Sequence, residues 1–220
     1  MSIILLQKVT GVDKMKIKYI ITLSLFICFF SILAVITLIA NADAREVRDS
    51  VVRFHIVANS DSESDQQHKF AVRSGIATLC NSLFKDSKSK SESMQIAEQN
   101  KQIIEQKAKE ILQKNNNNDP VNVKLTKRFF PTRHYNGVCL PAGVYDTIDI
   151  TIGQAKGQNF WCVMFPAICL GSSTESENKH KMGEVLQGPS LDLVTKNTPT
   201  VKFKFKIVEI FESVKNYFSN

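Results

Sequence analysis

A few side chains in this sequence could do chemistry. His55 lies inside an apolar run, with Asp61 and Asp65 shortly after it, and Cys162 follows the single tryptophan, Trp161. A histidine held by a carboxylate can act as a base, and a thiol beside it can become a nucleophile. Cys162, His55 and Asp61 therefore offer one enzymatic reading, an exported cysteine-dependent envelope hydrolase. The opposing reading makes His55 a strand residue hydrogen-bonded to the next loop. Asp61 and Asp65 then serve as helix-start charges, each contributing roughly 0.3–1 kcal/mol. Asp65 and His68 supply only two ligands, too few for a metal site. The glycines from Gly153 to Gly157 do not form GxGxxG and open no helix, so no phosphate cradle follows. No catalytic residue, metal or cofactor is predicted.

Those side chains need positioning elements. Residues 50–58 (SVVRFHIVA) alternate Val52, Phe54 and Ile56 with Arg53 and His55, which predicts a strand buried chiefly on one face. Asn59 to Gln66 is rich in N-cap residues, so a helix should start near Ser62. Its stripe is His68, Val72, Ile76, Leu79 and Leu83. After a solvated connection, a second helix is predicted over about 91–114, stopped by the asparagine run before Asp119-Pro120. The period then changes to two. Val121, Val123 and Leu125, then Ile148, Ile150 and Ile152, then Phe160 to Phe165 read as strands. Their short connections predict antiparallel neighbours. Residues 171–198 read as an exposed loop. Thr198-Pro199 opens an amphipathic helix over 199–220 carrying Phe203, Ile207, Ile210, Phe211, Val214 and Phe218, with packing on the sheet its expected use.

The N-terminus bears on compartment. Tyr19 to Ala42 is an uncharged run of 24 residues. As a helix it rises about 36 Å, enough to cross a bilayer core of about 30 Å. Lys14, Lys16 and Lys18 precede it, and this cationic flank should stay cytoplasmic. Residues 1–18 are thus a cytoplasmic n-region and 19–42 a signal peptide or membrane anchor, with Met15 an alternative start. Of 28 Lys and Arg against 21 Asp and Glu, four cations and one acid fall within residues 1–42, leaving about +4 for the remainder. No cationic stripe results, and nucleic acid is not an expected partner. Outside the cytosol thiols can oxidise. Cys162 and Cys169 enclose six residues that include the turn-former Pro166, and a bridge between them is the favoured reading, two buried thiols the other. Cys80 and Cys139 read as packing residues. Overall the sequence predicts an α+β fold: a membrane-crossing helix, then a domain over 45–170 with two long helices and a mostly antiparallel sheet, followed by the loop over 171–198 and the C-terminal amphipathic helix over 199–220.

Three stretches together resemble the stage II sporulation protein R family. They are Arg53-Phe54-His55-Ile56-Val57-Ala58-Asn59-Ser60-Asp61-Ser62 with Asp65-Gln66, then Leu140 to Tyr145, then Gly153 through Gly157-Gln158-Asn159-Phe160-Trp161-Cys162 to Pro166, closing at Cys169. Phe160 stands where a further tryptophan is common, and the chain after Gly171 has no counterpart. The resemblance implies a non-enzymatic signal of endospore-forming bacteria, exported from the forespore into the intermembrane space. There it would activate a membrane-embedded aspartic protease of the mother cell, which cleaves the precursor of the early mother-cell sigma factor. Exposed loops on rigid elements are usual binding sites. The expected receptor contact is therefore Asn59, Ser60, Asp61 and Asp65 together with Gly157, Gln158, Asn159 and Trp161. The competing expectation is that these residues only cap a helix and shape a turn, with Trp161 in the core.

Overall fold

The computed structural model describes the backbone of residues 2–168 and 174–219, and side-chain surroundings for 16–168 and 174–218. The chain divides into two compact units, residues 1–41 and 42–220. The first belongs to α1 (Ser2–Ser50), whose segment Lys16–Ser50 contains a run long and apolar enough to cross a membrane, with a mean hydropathy of 2.8 over an 18-residue window. Its large apolar side chains, Phe26, Phe29 and Ile32 among them, are exposed. A helix of this kind near an N-terminus is a membrane anchor or a signal sequence.

The second unit opens with the last turns of α1, where Ala44 and Val47 are fully buried. Then come β1 (Val52–Val57), α2 (Glu63–Leu83), α3 (Lys90–Gln99), α4 (Lys101–Lys114) and β2 (Val121–Phe130). A small hairpin, β3 (Arg133–Tyr135) and β4 (Val138–Leu140), precedes β5 (Gly143–Ile152) and β6 (Asn159–Phe165). The chain continues with α5 (Glu175–Gly183), α6 (Gly188–Thr195) and α7 (Pro199–Ser219). This is an α+β architecture. The four-stranded sheet has the order β2-β5-β1-β6, antiparallel except that β1 runs parallel to β5.

Three sequence expectations change. The helix predicted over 91–114 is two helices, broken at Asn100, whose side-chain amide donates back to the Ile96 carbonyl. Of the predicted exposed loop over 171–198, the described residues 174–198 are not one loop. A capping box joining Thr174 and Glu177 starts α5, Gly188-Pro189 opens α6, and Met182, Leu186, Leu193 and Val194 are buried. Their apolar residues are too widely spaced among polar ones to reveal a stripe. Finally, β5 and β6 are joined by a short connection yet are not neighbours, because β1 lies between them.

Period two sends the sheet's residues to two different environments. Val52, Phe54 and Ile56 join Ile148, Ile150, Val123, Cys162 and Met164 against Val72 and Ile76 of α2 and Ile104, Ala108 and Leu112 of α4. Each large apolar side chain buried there stabilises the fold by about 1.5–3 kcal/mol. Arg53, His55, Thr147, Asp149 and Trp161 occupy the opposite face, since residues opposed across a ladder share a side. The β3–β4 hairpin brings Tyr135 over that face, where its hydroxyl accepts from Arg53 Nη2 at 2.5 Å.

Candidate functional site

The strand order places the two predicted contact segments together. To pass from β5 to β6 the chain must cross the C-terminal end of β1, where Ala58, Asn59 and Ser60 leave the sheet. The crossing is hydrogen-bonded in place: Lys156 N donates to Asn59 O at 3.1 Å, Gly157 N to Ala58 O at 3.0 Å, and Gln154 N to Asn59 Oδ1 at 2.9 Å. Glycine is required at 157 by the closeness of the two backbones. A Cβ there would overlap the Ser60 carbonyl oxygen and stand 2.6 Å from Ser60 C and 2.9 Å from the Ala58 Cβ.

The same junction starts α2. Ser62 is the N-cap, its hydroxyl accepting from Asp65 N at 3.2 Å. Asp65 turns inward, its Oδ2 accepting from Ser60 Oγ at 2.6 Å and Asn59 Nδ2 at 3.0 Å. The Ser60 hydrogen bond is the largest cause holding this carboxyl below its ordinary range, and Asn59 and Ser62 add to it. Gln66 Nε2 donates to Ser60 O at 2.8 Å, while buried Lys69 reaches over to Gln158 O at 3.1 Å. Burial lowers the Lys69 pKa, and the charge of Asp61 works against that shift. His68 Nδ1 lies 3.9 Å from Asp65 and 3.0 Å from Asn117 Nδ2. Asp65 and His68 thus belong to the helix start and its neighbours.

Beneath this edge, on the sheet face away from α2 and α4, lies a polar and aromatic cluster that extends to Trp161. His55 is fully buried, and its partner is Asp149 rather than Asp61: Nδ1 lies 2.6 Å from Asp149 Oδ1. The carboxylate also accepts from Arg128 Nη2 at 2.6 Å. Burial alone would raise the Asp149 pKa, but hydrogen bonds from His55 and Arg128 outweigh it and leave the carboxyl below its ordinary value. His55 Nε2 faces Asn159 Oδ1 at 2.8 Å, and the ring lies against Trp161 with centroids 4.1 Å apart. Phe130 packs edge-on to Trp161 at 4.7 Å. Arg53 is buried under these rings, 4.1 Å from the Phe130 centroid and 4.9 Å from that of Tyr145, with Nε donating to Cys162 O at 2.9 Å. Burial raises the pKa values of both Tyr135 and Tyr145.

This geometry separates the proposed catalytic trio. His55 and Cys162 project from opposite faces of the sheet, because Cys162 opposes Phe54 whereas His55 opposes Trp161. Cys162 is disulfide-bonded, which removes its thiol as a nucleophile. Its predicted partner, Cys169, lies outside the described residues. Cys80 and Cys139 are free, and burial pushes each thiol up to about 12. His55 is instead a structural post that holds Asn159 and Trp161 at the edge of the sheet.

The predicted contact residues therefore divide. Asn59, Ser60, Asp65 and Gly157 lock the crossing, while Asp61, Gln158 and Asn159 remain exposed on it and Trp161 is half-buried. Sequence reasoning missed Asp149, Arg128, Arg53, Phe130, Tyr135 and Tyr145. The available signal was the alternation of Arg53 with His55 and of Thr147 with Asp149, two polar rows on otherwise apolar strands.

Residues 48–175 match the family described as Stage II sporulation protein R (spore_II_R). This chain belongs to that family. It is similar to the Stage II sporulation protein R of Bacillus subtilis (strain 168), with 37% identity over 123 residues, a match that takes in 56% of this chain and 55% of the relative. The chain therefore spans about half the length of the curated relative it matches. No solved structure matches it. The stage II sporulation protein R match covers the crossing, the His55 cluster and all four strands of the main sheet, and places the protein in sporulation. It stops at the start of α5, leaving α6 and α7 outside.

Proposed function

We propose that the protein is an intercompartmental sporulation signal and not an enzyme. The domain after α1 is exported from the forespore and remains membrane-anchored or is secreted into the intermembrane space. There it activates a membrane-embedded aspartic protease of the mother cell, which leads to cleavage of the early mother-cell sigma-factor precursor. The receptor reads the crossing at the end of β1, contacting Asp61, Gln158, Asn159 and the exposed edge of Trp161. The observation that carries this reading is the contrast within the crossing. Its backbone is fixed by hydrogen bonds and by Gly157, yet it presents exposed polar side chains of differing chemistry, as a recognition surface requires. Activation without catalysis needs only tighter binding to the active receptor state than to the inactive one. A shift from 1:99 to 99:1 takes about 5.5 kcal/mol of differential affinity.

Reconstitution tests the proposal. The purified protein, added to membranes containing the protease and its sigma-factor precursor, should trigger cleavage. Asp61→Ala combined with Gln158→Ala should abolish cleavage while leaving export and thermal unfolding unchanged. Cleavage that survives this double substitution would remove the crossing as the receptor surface, and failure of the intact protein to trigger cleavage would remove the signalling reading itself.

A further inference from the structure

The C-terminal helix is amphipathic but turned the other way from the sequence expectation. Phe205, Val208 and Glu212 face the domain and are buried, with Glu212 Oε1 3.2 Å from Arg48 Nη2 on the last turns of α1. Most of the stripe predicted to pack on the sheet points outward, joined by Tyr217, with Ile207 half-buried. Phe203 is 54% exposed, Ile210 65%, Phe211 45%, Val214 52%, Tyr217 79% and Phe218 81%. We propose that this outward face of α7 is the seam through which two copies of the chain associate, helix against helix.

The pattern of the stripe identifies its occupant. Phe203, Ile207, Ile210, Val214 and Tyr217 follow one another at spacings of four, three, four and three. This is the heptad period of helices that pack along their length, with Ile207 and Val214 at the a positions and Phe203, Ile210 and Tyr217 at d. Phe205 and Glu212 fall at f, the position diametrically opposite the seam, and these are the residues fixed to the domain. The helix can therefore hold its own domain and a partner helix at once. Phe211 and Phe218, at e, widen the seam. With aromatic side chains of about 200 Å² each, the exposed stripe presents on the order of 700 Å². A standard stable interface takes about 800 Å² per partner, so the area suits a dimer.

Charge selects a second copy over a lipid surface. A basic amphipathic helix binds anionic membranes through free cations beside its apolar face. Here Lys204 Nζ is 2.6 Å from Asp43 and Lys206 Nζ is 2.9 Å from Glu209, so two of the three lysines in the first turns are answered within the chain, and the exposed Lys202 is left as a single cation rather than a basic face. The same neutralisation removes the repulsion that two identical helices would suffer when Lys206 of each meets the shared seam. α7 lies beyond the family-matched residues, and this proposal does not depend on the signalling reading.

The test uses the full chain in phosphatidylcholine vesicles, with Cys28→Ser removing an exposed thiol. Ile210→Cys, at the centre of the seam, should cross-link on mild oxidation to a species of twice the 24.8 kDa chain mass. Asn216→Cys, off the seam, should not. Adding Val214→Glu and Tyr217→Glu to the Ile210→Cys chain should cut cross-linking at least tenfold while the Trp161 fluorescence of the folded domain stays unchanged. Three results would overturn the proposal: equal cross-linking at 210 and 216, an Ile210→Cys thiol that stays monomeric and open to a water-soluble maleimide, or one that stays monomeric but is shielded by the vesicle, which would assign the face to lipid.

Discussion

Replacing Gly157 by alanine isolates the junction on which the candidate site depends. A methyl group there would overlap the Ser60 carbonyl oxygen and meet the Ala58 Cβ, two parts of the chain that cannot rotate away. Relief requires the crossing to lift off β1, which breaks the bonds from Lys156 N to Asn59 O and from Gly157 N to Ala58 O. Each such bond contributes about 1 kcal/mol net, and overpacking adds roughly 1–3 kcal/mol. The expected loss is about 4 kcal/mol, a fall in Tm on the order of 10 °C for a domain of this size. Trp161, the only tryptophan, stacks on His55 at the same edge and reports unfolding by fluorescence. Gly183→Ala is the control, since its new methyl meets nothing nearer than Leu191 Cδ2 at 3.9 Å, and stability should hold or rise slightly. A Gly157→Ala protein within about 0.5 kcal/mol of the parent in denaturant titration would mean the crossing is not seated on β1, and the rigidity argued for the contact surface would fall with it.

Two further outcomes follow from the buried cluster and the cysteines. Because the Asp149 pKa is depressed in the folded state, its contribution is complete above the ordinary carboxylate value and is lost as pH falls through the lower folded value. Asp149→Asn should therefore cost about 2–4 kcal/mol at neutral pH and weaken the loss of stability on acidification below about pH 4, measured by urea titration across pH. Non-reducing peptide mapping of the exported protein should recover Cys162 linked to Cys169. Cys162→Ser and Cys169→Ser should then lower stability alike, by about 2–3 kcal/mol in the chain-entropy account, and two freely alkylated thiols would refute that pairing.

Local rules were readable in the sequence because they act over a few residues. The Ser62 cap, the Val72 and Ile76 stripe and the alternation of Ile148, Ile150 and Ile152 all follow from helix and strand periods. So does the membrane-length apolar run. The motifs around Asn59 and Gly157 were legible too, though only as two separate stretches. Residues 174–198 were misread because α5 and α6 are short and held by capping and by a few buried side chains, which leave no sustained period.

The tertiary structure decided everything that depends on which segments become neighbours. Insertion of β1 between β5 and β6 joined the two motif stretches, gave His55 to Asp149 instead of Asp61, and set Cys162 on the far side of the sheet from His55. A period of two states that residues alternate between faces, but not which strand lies alongside or what covers each face. The same limit applies to α7: its stripe of Phe203, Ile207, Ile210, Phe211, Val214 and Phe218 was visible in the sequence, yet only packing against the rest of the domain settled that Phe205 and Val208 would turn inward and Phe203, Ile210 and Phe218 outward.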